Sequence, residues 1–314
     1  MKAISRITTF SALAGAAALF SSIALDSSSA QDDAKKKDAD TVNVIILTGQ
    51  NNHNWKTTSA LYQDILTKHH KFSVTVETSP ARGEKDKMKD WKVDFSKAHV
   101  VLNDYNGQSW SDSVNEGLLD FVKKGGGLVN VHAGNNPFSN WPEFNEMIGL
   151  GWRNNMFGDR ISIDDTSGKQ IRTKRGKGPG AGHGRQHEFV VKVRNTDHPI
   201  MKGIPSEWLH GKDELYHGQR GPGNNMNVLS SAYSDKKTGG TGEHEPITWI
   251  IPYGKGQSVT TVLGHQGGGN AADAVACAGF QTVLLRCLEW AATGKVTIDV
   301  PKNFPAKGKT SFNR

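Results

Sequence analysis

The chain has 314 residues, a formal charge of +7 at pH 7 and two cysteines, Cys277 and Cys287. That length admits one α/β domain or two small ones, and two cysteines exclude a disulfide framework. The positive residues are dispersed or interleaved with acids and no aromatic-basic motif accompanies them, so nucleic acid is not an expected partner.

Residues 1–30 read as an export signal. Lys2 and Arg6 precede the Ala-, Leu-, Phe- and Ile-rich stretch from Thr8 to Leu25, and Ser28-Ser29-Ala30 offers small residues for cleavage. Ser21 and Ser22 interrupt the apolar stretch, which is short against the roughly 20 residues a span requires. The expectation is therefore a periplasmic or secreted protein with no stable membrane anchor after cleavage. Residues 31–41 are charged and lack apolar periodicity, as a flexible leader would.

Val42 to Leu47 (VNVIIL) is a nearly continuous apolar run, the pattern of a strand buried on both faces. Thr57 to His69 carries Leu61, Ile65 and Leu66 at helical spacing, and Phe72 to Val76 is a second strand. Val100 to Leu102 follows as a third strand, then a helix from Ser113 to Lys124 stopped by Gly125-Gly126-Gly127. A fourth strand, Leu128 to Val131, ends at His132. Strands alternating with helices predict an α/β fold, a parallel sheet covered on both faces.

Beyond Trp141 the rhythm breaks. Phe189 to Val193 and Val228 to Ala232 are strand candidates with a turn at Asp197-His198-Pro199. Ile247 to Ile251 and Ser258 to Leu263 flank a Pro252-Tyr253-Gly254-Lys255-Gly256 turn and read as a hairpin. Phe280 to Ala292, closed by Gly294, predicts a C-terminal helix. Residues 42–295 then form the domain, and 296–314 a tail, basic from Lys302 and expected to fray.

Ligands of open α/β sheets bind outside the carboxyl ends of the strands. Polar clusters fall there: Gln50 to Trp55, Asn103 to Asn106 and His132 to Asn136. If opposed hairpin positions sum to roughly 509, Ile247 faces Val262 and His244 faces His265 at the open end of the ribbon. Asp213-Glu214-Leu215-Tyr216-His217 adds an acid pair suited to general acid or base work, or else a solvated loop. His53, His132, His244 and His265 are the histidines topology could gather. With no HExxH pair and no Cys-rich spacing there is no local metal signature, and a divalent metal stays open as a cofactor. The turn at Val131-His132-Ala133-Gly134 holds no Cys or Ser, which disfavours an amidotransferase or serine-hydrolase nucleophile.

The loop ILTGQNNHNW, then GGGLVNVHAGNN, DHPI, DELYH, HEPITW and GKGQSVTTVLGH, followed by FQTVLLRCLEWAATG, together resemble the ThuA-like family named for trehalose utilisation, over about residues 42–295. The resemblance implies a flavodoxin-like three-layer sandwich of the class I glutamine amidotransferase type without its cysteine. It also implies sugar metabolism alongside oxidoreductases that make 3-keto sugars. His53, His132, Asp213, Glu214, His244, Glu245 and His265 are the motif residues it carries over. The Gly- and Lys-rich stretch from Gly168 to Arg185 departs from the family pattern and suggests either a lid or a mobile loop.

The leading expectation is an enzyme cleaving or eliminating at a 3-keto glycoside. His132 would be base or carbonyl polariser, and Glu214 or Glu245 would protonate the leaving oxygen with help from His265, within a catalytic set completed by Asp213 and His244. His53, Asn54, Trp55, Asn103, Asn135 and Tyr216 would contact the sugar. The alternatives are a non-catalytic carbohydrate-binding module and a metal-dependent hydrolase. The oligomeric state is open.

Overall fold

The computed structural model describes residues 41–268 and 272–314; the expected export signal and all but the last residue of the expected leader lie outside them. The chain opens as the alternation of apolar runs and amphipathic stretches requires. Strands β1 (Val42–Thr48), β2 (Phe72–Thr78), β3 (Val100–Asn103) and β4 (Gly127–Val131) are separated by helices α1 (Trp55–Thr67), α2 (Lys85–Asp90) and α3 (Asp112–Lys123). After α4 (Pro142–Ile148) come β5 (Asp159–Ile163), β6 (Gln170–Thr173), β7 (Gly182–His183), β8 (His187–Val193) and β9 (Glu207–Asp213). The short β10 (Tyr216–His217) and β11 (Arg220–Gly221) lead to β12 (Asn227–Tyr233), β13 (His244–Tyr253) and β14 (Gly256–Thr261), and α5 (Asp273–Ala276) and α6 (Ala278–Thr293) follow.

The main sheet runs β2-β1-β3-β4-β14-β13-β12-β8-β9. Its first five strands are mutually parallel, in the flavodoxin-like order. From β13 onward the pairings are antiparallel, with β5 and β6 attached beside β13. The period of two splits each parallel strand between two cores. Val44 and Ile46 of β1, with Val100, Leu102, Val129 and Val131, pack under Tyr62 and Leu66 of α1 and Phe280, Val283 and Leu284 of α6. Ile45 and Leu47, with Val101 and Leu128, pack under Val114, Leu118 and Val122 of α3. That helix starts because the Ser111 hydroxyl accepts from Val114 N. Helix α6 ends because Gly294 adopts the left-handed conformation.

The antiparallel half was only partly legible. β8, β12 and the hairpin lie where the strand patterns predicted, whereas β5, β6 and β9 had no clear alternation. The tail does not fray: Thr297 and Ile298 donate their amides to Glu289, and Leu209 N donates to Ala306 O. Ala278 N reaches Ser311 O and Asn313 N reaches Ala276 O, so the chain end is stitched along α5 and β9. Among the described residues no helix is long and apolar enough to cross a membrane.

Leu102 sits in a central parallel strand with no exposed surface. Leu102→Ala should cost about 2–5 kcal/mol in urea unfolding through lost burial and a residual cavity; a loss below about 1 kcal/mol would mean this core is not packed as described.

Candidate metal centre and active site

The carboxyl ends of β1, β3 and β4 point to one crevice, beside the place where the chain reverses its direction of sheet growth between β1 and β3. The loop after β1 delivers His53 immediately before α1. The turn after β4 delivers His132 with φ +47°, a left-handed conformation that costs a β-carbon-bearing residue about 1–3 kcal/mol and turns its ring into the site. Two further residues arrive later in the chain: Glu214, one position past the antiparallel β9, and His265, four past β14, the last of the parallel strands.

These four converge. One ligand atom from each of His53, His132, Glu214 and His265 lies within 4.8 Å of all the others. Around Glu214 Oε2 stand His53 Nε2 at 3.7 Å, His132 Nε2 at 3.5 Å and His265 Nδ1 at 3.2 Å. His132 Nε2 and His265 Nδ1 are buried and have no hydrogen-bond partner. The other nitrogen of each ring is engaged: His132 Nδ1 by Val262 O at 2.8 Å, His53 Nδ1 by Asn51 Oδ1 at 3.2 Å and His265 Nε2 by the Gln186 amide at 3.0 Å. For His132 and His53 the partner is an oxygen acceptor, which in the neutral ring places the proton on Nδ1 and leaves the inward nitrogen a lone pair. The Gln186 amide nitrogen instead donates to His265 Nε2 and leaves the proton of that ring on Nδ1, toward Glu214, from which a bound ion would displace it.

Burial alone would raise the pKa of Glu214, but the imidazoles of His132, His265 and His53 outweigh it and hold the carboxyl far below its usual range. Glu214 is therefore ionised. Burial lowers the pKa of His53 despite its contact with Glu214, whereas at His265 the Glu214 carboxylate overcomes burial and raises it.

Asp213 stands behind the cluster. Its fully buried carboxylate accepts from His210 Nε2 at 2.8 Å, Gly264 N at 2.8 Å, His265 N at 3.2 Å and Glu214 N at 2.6 Å. Gly264 makes this possible: its φ is +105°, and a β-carbon there would press on the Phe280 ring at 2.8 Å. Burial would lower the pKa of His210, but its bond to Asp213 and the neighbouring Cys277 thiol raise it to about 9.

The expected residues divide into two groups. His53, His132, Glu214, His265 and Tyr216 meet at the crevice, with the Tyr216 ring 4.3 Å from that of His132. His244 and Glu245 do not join them. The hairpin register holds as far as Val262 N to Ile247 O. Beyond it Pro246 has no N–H to offer and the chain at Gly264 bends away, so His244 pairs with Tyr233 and Ile163 rather than facing His265. His244 lies 3.3 Å from Asp165, and Glu245 is buried against Arg160, Thr241 and Gly218 N, out of reach as an acid.

Asn54 caps α1 through Thr57 N, and Trp55 is its first residue, outside the cavity wall. Asn103 and Asn135 are fully buried and bond protein partners, Asn130 and Gly134 for one, Leu150 and Gln219 for the other.

A cavity of about 390 Å³ opens on the cluster, lined among others by Asn52, Asn106, Asn136, Trp152 and His183. The three asparagines lie in the strand-end loops already singled out. Trp152 and His183 come from segments with no pattern to mark them, and His183 stands 3.7 Å from Glu214. The Gly- and Lys-rich stretch that brings His183 is paired into the fold: part of it is β6, against β5, and farther on β7 pairs with β10.

The His210–Asp213 pair sets a pH signature. A histidine pKa raised on folding contributes stability that is fully present below about 6.5 and lost as the pH rises through about 9. His210→Asn should therefore cost about 3–5 kcal/mol at pH 6, with the gap to wild type narrowing by pH 10 in thermal melts. A gap constant across that range would contradict a charged His210.

The family model described as trehalose utilisation, ThuA, matches residues 43–291. A ThuA-like protein of Parabacteroides merdae shares 43% identity at a TM-score of 0.83, over 87% of this chain and 98% of that one. A ThuA-like protein of Bacteroides uniformis, at 16% identity and a TM-score of 0.49, covers 82% of this chain and 93% of its own. No curated protein matches the chain. With the family model spanning most of the sequence, the chain belongs to the ThuA family of trehalose utilisation.

Proposed function

We propose that the protein is a metal-dependent enzyme of carbohydrate metabolism that cleaves or eliminates at a glycosidic bond, with 3-keto glycosides as the substrate class suggested by the family resemblance. The export-like composition of residues 1–30 supports a periplasmic or extracellular site for this activity. One observation carries the proposal: three imidazoles and a carboxylate within 4.8 Å, two of their nitrogens buried without a partner. Buried polar atoms left unsatisfied in this way call for a missing partner. Three nitrogens and one oxygen suit a borderline divalent ion such as zinc, manganese or iron.

His53, His132, His265 and Glu214 would hold the ion. Bound there, it would supply Lewis-acid polarisation of a substrate oxygen. Glu214, ionised and turned to the three rings, is then a ligand rather than the acid that protonates a leaving group. His132 likewise gives its inward nitrogen to the site rather than to a substrate proton. The carboxamides of Asn52, Asn106 and Asn136 orient hydroxyls, and Tyr216 closes the cavity against His132. In a 3-keto sugar the ketone acidifies the neighbouring C2 hydrogen, so stabilising the carbonyl oxygen and removing one proton suffices to start elimination.

The test is elemental analysis of the untagged mature protein together with turnover of 3-keto glycosides before and after chelation. About one equivalent of metal, lost with activity in a His132→Ala, His265→Ala double variant, is the expected result. Asn51→Ala, which removes the acceptor of His53 Nδ1, should weaken metal affinity about 10- to 100-fold. Full turnover by chelated, metal-free protein would contradict the metal reading, and sugar binding without turnover of any keto glycoside would favour a binding module.

A further inference from the structure

The stretch from Gly176 to Gln186 is fastened to the body at close intervals. The Arg220 guanidinium, itself fully buried, donates to the carbonyls of Lys177 and Pro179. Ala181 N donates to Arg153 O at 2.9 Å and Arg185 N to Thr238 O at 2.8 Å. Between them His183 pairs with Tyr216 and Gly182 with His217. Glycine recurs at every second position, 180, 182 and 184, on the side facing the body. A β-carbon would stand 3.1 Å from Asn154 Cα at the first, 2.9 Å from His217 Nε2 at the second and 1.9 Å from Thr238 O at the third. Alternation then turns His183 to the opposite side, where it lines the cavity.

The wall so made has a definite chemistry. Three carboxamides, Asn52, Asn106 and Asn136, and three rings, Trp152, His183 and Tyr216, line the space with His53 and the Glu214 carboxylate, and among the described residues no lysine or arginine does. The chain carries 38 of those residues and a charge of +7, so their exclusion from the cavity is a property of the site and not of the composition. Carboxamides donate and accept at once, as hydroxyls require, while aromatic faces cover the apolar face of a ring. Phosphate and carboxylate groups are held instead by arginine and lysine. At about 390 Å³ the cavity lies near the small end of the ligand-pocket range, about 300–1,000 Å³.

We propose that this cavity is a subsite for a single uncharged sugar ring, bounded by the Gly176–Gln186 strap as a fixed wall, so that the protein takes free or chain-terminal neutral sugars and refuses phosphorylated and uronate ones. The choice of a sugar rests on the carbohydrate reading above; the size and charge limits rest on the wall itself.

Calorimetric titration of the full mature protein, metal state as purified, tests this with glucose, galactose, mannose and their methyl glycosides against glucose 6-phosphate and glucuronate. At least one neutral ring should bind, with both anionic sugars tenfold weaker or more. Trp152→Ala should weaken the neutral ring at least tenfold, about 1.4 kcal/mol, with metal content unchanged because Trp152 is not a ligand. Tighter binding of either anionic sugar, no binding of any neutral ring, or wild-type affinity in Trp152→Ala would each overturn the proposal. Neutral-ring binding by protein that takes up no metal would leave the subsite standing and remove the metal-enzyme reading. Metal uptake without neutral-ring binding would do the reverse.

Discussion

A carboxylate fully withdrawn from water must find its hydrogen bonds in the protein, and Asp213 finds four: one imidazole and three backbone amides, those of Glu214, Gly264 and His265. Burying a charge without such partners costs several kcal/mol, so the arrangement is held as a unit. Its effect is to pin the end of β9 to the segment leaving β14, and thereby to fix the spacing of Glu214 and His265. Those two residues would otherwise hang from separate loops. His53, His132 and His265 follow parallel strands and Glu214 follows the antiparallel β9, so the cluster exists only where the two halves of the sheet are tied.

The same tie explains the division of labour among the acids. Glu214 faces three imidazoles and stays ionised, Asp213 works through the backbone, and Glu245 serves Arg160 on another side of β13. Around this centre the polarity is carried by amides and rings instead of charges. A basic protein thus presents a cavity with no lysine or arginine among its described lining residues, built on a compact donor set, a combination suited to a hydroxyl-rich ligand oriented against a polarising centre.

Much of the parallel half was legible in the sequence because its strands are continuous apolar runs and its helices carry clean stripes, as with Val114, Leu118 and Val122. The rule that strands end at the site then located His53 and His132. The hairpin arithmetic succeeded for the paired residues and failed at His244, since register says nothing once a proline and a left-handed glycine part the two strands. Asn54, Asn103 and Asn135 looked like ligand contacts, yet a carboxamide at a strand end serves a helix cap or a buried bond equally well. His183 stood out only as the end of a Gly- and Lys-rich stretch, because a glycine-alternating segment has no hydrophobic period and its packing against Thr238 and His217 is tertiary, and Trp152 carried no pattern at all. Most of all, the metal-binding geometry had no local spacing to announce it: its four residues are spread from position 53 to 265.

X-ray absorption at the metal edge of the purified protein, with anomalous scattering from its crystals, addresses the central claim most directly. The account predicts one divalent ion ligated by three imidazole nitrogens at about 2.0–2.1 Å and a carboxylate oxygen at about 2.0–2.2 Å, as for zinc in such sites, from His53, His132, His265 and Glu214. An ion bound elsewhere, or none after incubation with zinc and manganese, would contradict it.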